Sequence, residues 1–148
     1  MQSYDAILFD SPPTLGLMVV NIICASEALL IPFKADQFSR QGIEHLHQVL
    51  LDIAEMELVP GPRALFYLPN LVDVRRKIEE KDLLQIEEEV KKTDGILFAP
   101  FANKLPLLKC QHLGKSVFEM RGQEFQVLAS DFLTIGRKIV EVLDGSSN

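Results

Sequence analysis

The chain has 148 residues, 47% of them apolar and 24% charged, with a net charge of −6 and a pI near 5.0. That length suits one domain, the composition excludes a chain too polar to collapse, and the acidic balance excludes a diffuse positive field for nucleic acid. Cys24 and Cys110 lack C-x-x-C spacing and read as buried thiols, and no segment reaches the roughly 18 apolar residues of a membrane helix, so a cytoplasmic setting without membrane contact is expected.

Ala6 to Phe9 is a short apolar run closed by Asp10 and Ser11-Pro12-Pro13, which reads as a buried strand. Gly16 to Ala25, apolar almost all round, reads as a buried helix, and Ala28 to Ile31 as a second buried strand stopped by Pro32. Between Ser39 and Val59, the residues Ile43, Leu46, Leu50, Ile53 and Ala54 recur at steps of three and four on one helical face, and Pro60-Gly61-Pro62 ends that helix. Ala64 to Leu68 is a third strand. Asp73 to Lys92 is dense in charge and leads into a helix carrying Leu83, Ile86 and Val90, where Glu87/Lys91 and Glu88/Lys92 fit i,i+4 support. Gly95 to Ala99 makes a fourth strand, Pro106 to Leu113 a short helix or turn, and Ser116 to Phe118 a short edge strand. Phe125, Leu128, Phe132, Leu133, Gly136, Ile139, Val140 and Leu143 form one helical stripe that reads as core packing, ahead of a frayed Gly145-Ser-Ser-Asn148 tail. Strands alternating with helices predict a single α/β domain over residues 1–148, with a mainly parallel sheet and flanking helices.

A carboxylate at the end of a buried strand, with two prolines after it, sits where open α/β sheets bind ligands. Asp10 there either holds Mg²⁺ on a nucleotide's phosphates or merely caps the following turn. The segment Tyr4-Asp5-Ala6-Ile7-Leu8-Phe9-Asp10-Ser11-Pro12-Pro13-Thr14-Leu15-Gly16 resembles the Walker B and switch II region of the ParA/MinD family of deviant-Walker ATPases, which partition plasmids and chromosomes or position the division machinery. Ala28-Leu-Leu-Ile-Pro32, the helix opening Gly42-Ile-Glu-His-Leu46, and Phe101-Ala-Asn-Lys104 with Leu113-Gly-Lys115 are similar to later family segments, in family order. The resemblance implies ATP and Mg²⁺ as cofactors. It implies Asp10 as the catalytic and metal-supporting carboxylate, Pro12 and Pro13 as the γ-phosphate switch, and Asn70 and Asn103 near the base-contacting positions, although both asparagines also suit ordinary turns. A homo-oligomer or a full-length ParA-like partner, and a ParB-like partner, are further expectations.

The family's phosphate loop, K-G-G-x-x-x-K-[ST], has no counterpart here: the eight glycines are scattered singly, and Gly114-Lys115-Ser116 lacks the upstream glycine. The expected fold is therefore an incomplete P-loop NTPase-like one lacking the first strand and phosphate loop, and Asp10 facing a polyanion alone is expected neither to bind Mg-ATP tightly nor to hydrolyse it. In the resembled fold the missing strand lies between the one ending at Asp10 and the one at Ala28 to Ile31. Those two are expected to pair directly with each other, or another chain to fill the gap. A non-catalytic dimerisation or regulatory module is the alternative. His45 and His47, two apart on a helix, point to different faces, which argues against a metal site. Arg75-Arg76-Lys77 and Arg137-Lys138 lie among carboxylates, so a mixed-charge surface is favoured over a DNA track.

Overall fold

The structure is a computed structural model that describes residues 4–12, 16–57, 60–72, 77–102 and 105–145. Among these the chain runs α1 (Leu17–Ala25), β1 (Ala28–Phe33), α2 (Gln37–Met56), β2 (Ala64–Val72), α3 (Lys77–Val90), a 3-10 turn (Lys91–Thr93), β3 (Ile96–Leu97), β4 (Phe101–Ala102), α4 (Leu105–Leu113), a second 3-10 turn (Val117–Glu119) and α5 (Gln123–Gly145). The α/β reading holds: the strands are parallel and helices pack on both faces.

The central strand is β2. It pairs with β1 from Ala28↔Ala64 to Phe33↔Pro69, with β3 at Phe66↔Ile96 and Tyr67↔Leu97, and further along with β4 at Asn70↔Phe101 and Val72↔Ala102. Alternation along the strands then sorts side chains between two layers. On one face Ile31, Phe33, Leu65 and Tyr67 meet Ile43 of α2 and Ile86 and Val90 of α3, and α1 joins through Val19 and Ile23 against Leu46 and Ile53. On the other face Leu68 packs with Phe101, Cys110, Val117, Phe125 and Leu128, so α4 and α5 cover β2 from that side.

Local chemistry explains the boundaries of α2. The Asp36 carboxylate accepts from the Ser39 N–H at 2.7 Å, and the helix ends at Glu57, whose φ of 52° breaks the helical path just ahead of Pro60-Gly61-Pro62.

Several expectations are corrected. Ala6 to Phe9 is not a strand: Ile7, Leu8 and Phe9 are 73%, 94% and 52% exposed, and no ladder among the described residues includes them, so they do not pair with β1 either. Neither element offers the other a covered face, and a four-residue run cannot hold a ladder alone. Pro32 lies inside β1 instead of stopping it, which is tolerated because β1 ends the sheet and a missing N–H on its outer side leaves no neighbour unpaired. Strand β2 runs on through Pro69 and Asn70 to Val72. Ser116 to Phe118 forms no edge strand; Ser116 accepts from Phe118 N–H and Glu119 accepts from Ser116 N–H, a capping box that starts a 3-10 turn. The lysines pair at i,i+3, Lys91 with Glu88 and Lys92 with Glu89, each at 2.6 Å, because the 3-10 turn at Lys91 to Thr93 has three residues per turn. Only Phe125 and Leu128 of the α5 stripe are buried, while Phe132, Leu133 and Val140 remain exposed. Cys110 is buried and Cys24 half-buried, both as free thiols. The tail at 146–148 and the charged residues 73–76 lie outside the described residues.

Candidate functional site

Because the strands are parallel, their carboxyl ends lie along one border of the sheet, the border at which open α/β folds bind ligands. It is formed by Lys34 to Asp36 after β1, Asn70 to Val72 at the end of β2, and Phe98 to Pro100 after β3. Asn70 is half-buried and lies within β2, not past its end, with its backbone set against Phe101. The next residue, Leu71, has φ of 57° where the register shifts between Asn70 and Val72, a bulge that bends the strand end in a conformation leucine rarely adopts.

Asp10 and Pro12 are exposed in a segment without strand pairing, and Pro13 and Asn103 lie outside the described residues. Among the described residues no three His, Cys, Asp or Glu side chains converge as a metal site would require.

The donors present do not fit Mg-ATP. The phosphate-loop lookalike has its amides engaged elsewhere. Gly114, with φ of 61°, closes α4, as Lys115 N–H donates to the Cys110 carbonyl at 3.0 Å and Gly114 N–H to the Gln111 carbonyl at 3.2 Å. Ser116 then caps the following 3-10 turn. These amides are spent on a helix terminus and offer no cradle to a phosphate. Asp10 is exposed and pairs with no cation among the described residues.

Sequence reasoning missed a buried polar chain. His47 Nε2 lies 2.7 Å from Tyr67 Oη, which lies 3.3 Å from Thr93 Oγ1, which donates to the Val90 carbonyl at 3.0 Å. All three bonds form together when His47 Nε2–H donates to Tyr67, Tyr67 to Thr93 and Thr93 to Val90. Burial lowers the His47 pKa from 6.5, against the raising influence of Glu89; Lys92 lowers it further and Glu44 raises it. Burial raises the Tyr67 pKa, opposed by the bond to Thr93. The chain ties α2 to β2 and to the end of α3. Its signal was the spacing itself: His45 and His47 face opposite ways, so one of them had to turn toward the sheet.

An apolar cleft of about 350 Å³ opens between α4, the second 3-10 turn and α5, lined among others by Leu107, Cys110, Val117, Phe118 and Phe132. None of Asp10, Pro12 or Asn70 lines it.

A family model described as "AAA domain" matches residues 1–58. The chromosome partitioning protein ParA of Myxococcus xanthus is 24% identical over 140 residues, 93% of this chain and 47% of that protein. The sporulation initiation inhibitor protein Soj of Bacillus subtilis is 30% identical over 91 residues, 62% of this chain and 34% of that one. The chromosome-partitioning ATPase Soj of Thermus thermophilus is 24% identical over 118 residues, 78% of this chain and 45% of that one.

The chain is thus similar to ParA and Soj proteins over much of its length. It spans less than half the length of these curated relatives. The AAA match at residues 1–58 takes in Asp10, α1, β1 and α2, the stretch that carried the switch resemblance. No helix among the described residues of the chain is long and apolar enough to cross a membrane.

Proposed function

We propose that this ParA-like chain serves the partition of chromosomes or plasmids and does not turn over ATP by itself. The observation that carries the reading is similarity to a chromosome partitioning ParA along 93% of the chain, joined to a sequence in which no glycine-rich loop precedes a Lys-Ser/Thr pair. ATP and Mg²⁺ are the cofactors of the assembled machine on this reading; Asp10, Pro12 and Pro13 form its switch and Asn70 and Asn103 its base-contacting border. The chain works in the cytoplasm in a dimer or with a full-length ParA-like protein, and a ParB-like protein is the expected stimulating partner.

Deleting the coding region in its host and scoring inheritance of chromosome and plasmids tests the role: increased loss is expected, and unchanged inheritance rejects it. Titration of the purified chain with Mg-ATP tests the second half. Heat of binding absent up to millimolar nucleotide is expected, and micromolar affinity would show that the phosphate cradle is supplied by some other arrangement.

A further inference from the structure

The cleft of about 350 Å³ between α4, the second 3-10 turn and α5 has no part in the nucleotide reading, and its volume is one at which small ligands bind. Of the residues lining it, Cys110 and Val117 belong to the buried core, whereas Phe118 and Phe132 are 59% and 37% exposed. Its walls are set by local bonding. Gly114, with φ of 61°, turns the chain out of α4, Lys115 N–H donates to the Cys110 carbonyl, and the capping box of Ser116 and Glu119 fixes the turn that carries Phe118. A cleft held in this way is formed before a ligand arrives, which lowers the ordering cost of binding. Lys115 is the one charged residue that lines it, and among the described residues Lys115 forms no ion pair. The nearby Lys109 is already set against Glu124 at 3.8 Å, and Glu119 accepts from the Ser116 N–H. Residues 105–124 hold three cations, Lys109, Lys115 and Arg121, against two carboxylates, Glu119 and Glu124, in a chain whose net charge is −6.

We propose that this cleft binds a small carboxylate with an apolar body, a medium-chain fatty acid in chemical class. The chain of the acid lies against Cys110, Val117, Phe118 and Phe132, and its carboxylate meets the Lys115 ammonium, with Gln111, which also lines the cleft, as a neutral donor. Size and charge select this occupant. At about 30 Å³ per heavy atom the cleft holds roughly a dozen, enough for an eight-carbon acid. A phosphate is the poorer fit, because the Gly114 and Lys115 amides are spent on the end of α4 and one ammonium balances only a single charge. A second copy is poorer too: two chains of net charge −6 repel, and a stable interface takes about 800 Å² from each partner, far more surface than such a cleft presents.

The test is an amide NMR titration of the full chain with octanoate, octylamine and octanol at neutral pH. Saturable shifts confined to 107–118 and 131–133 are expected for octanoate, with a dissociation constant on the order of 1 mM. Octylamine should bind at least about fivefold more weakly, although the overall charge of −6 favours a cation everywhere else on the surface. Lys115→Met should weaken octanoate about two- to fivefold, the range of an exposed ion pair, and leave octanol unchanged. Phe118→Ala should weaken both about threefold or more, and the circular dichroism of the two variants should match the parent, since both residues are exposed. Four results would each overturn the proposal: no shift at 107–118 up to 10-fold above that constant, octylamine binding as tightly as octanoate, Lys115→Met without effect on octanoate, or the same shifts appearing on concentrating the chain alone, which would make the face a contact between copies. Inheritance is scored separately, so failure here leaves the partition reading standing.

Discussion

Tyr67 joins α2, β2 and the end of α3 at the centre of one core layer. It is fully buried in β2, lies edge-on to His47 with ring centroids 5.9 Å apart, and holds both His47 and Thr93 through its hydroxyl. Since His47 has a folded pKa below its unfolded value of 6.5, the unfolded chain binds the extra proton first. Stability should therefore be fully present above pH 6.5 and fall as the pH drops through the folded pKa. Urea midpoints at pH 5.5 and 7.5 check this, and His47→Phe should flatten the difference between them. Gly95 packs against the same ring: a Cβ there would lie 2.9 Å from Tyr67 Cδ2 and 3.2 Å from Thr93 Oγ1. Gly95→Ala should destabilise by about 1 to 3 kcal/mol through this overlap, read from the urea midpoint. Leu71 is the opposite case. Its φ of 57° strains a leucine, so Leu71→Gly should hold or raise the thermal midpoint, where glycine elsewhere in a strand lowers it. The spacing of the two histidines and the candidate carboxylate were legible in the chain. The partners of Tyr67 were not, because Thr93 lies 26 residues away and the sheet alone brings it close.

Among the elements, α2, α3 and α5 follow from their apolar spacing, whereas α1, apolar almost all round and expected as a buried helix, buries only Val19 and Ile23. The short pieces do not follow from spacing. Ser116 to Phe118 is apolar enough for a strand, but Ser116 and Glu119 satisfy each other's backbone amides, and that local bonding wins where no neighbouring strand competes. Ser116→Ala should cost about 0.5 to 1 kcal/mol and loosen the turn leading into α5, measured by hydrogen exchange at 117–125. Burial along α5 divides its uniform stripe: Phe125 and Leu128 reach the core, while Leu133 and Val140 stay exposed at 46% and 56%. Periodicity marks a face, and only the neighbour decides how much of it is covered. The Lys91–Glu88 salt bridge at the end of α3 is exposed and screened, so Lys91→Ala should leave the thermal midpoint essentially unchanged.

At the scale of the whole molecule, β1 is left at an open border of the sheet among the described residues. Ile7, Leu8, Phe9 and Leu30 remain exposed, and the carboxylate expected to sit beside a nucleotide, Asp10, follows the first three in a segment outside every described ladder. Asp10→Asn should therefore alter neither the stability nor the nucleotide response of the isolated chain, measured by thermal shift with and without Mg-ATP. The amino-acid sequence by itself determined the α/β class, the long helices, the family resemblance and the missing glycine-rich loop, because periodicity, turn chemistry and motif order are local properties written along the chain. The tertiary structure alone decided that β2 is central, that β1 is left at an open border, and that Ala6 to Phe9 is not a strand. A strand exists only when a neighbour accepts its backbone hydrogen bonds, and that neighbour is a matter of space, not of order in the chain.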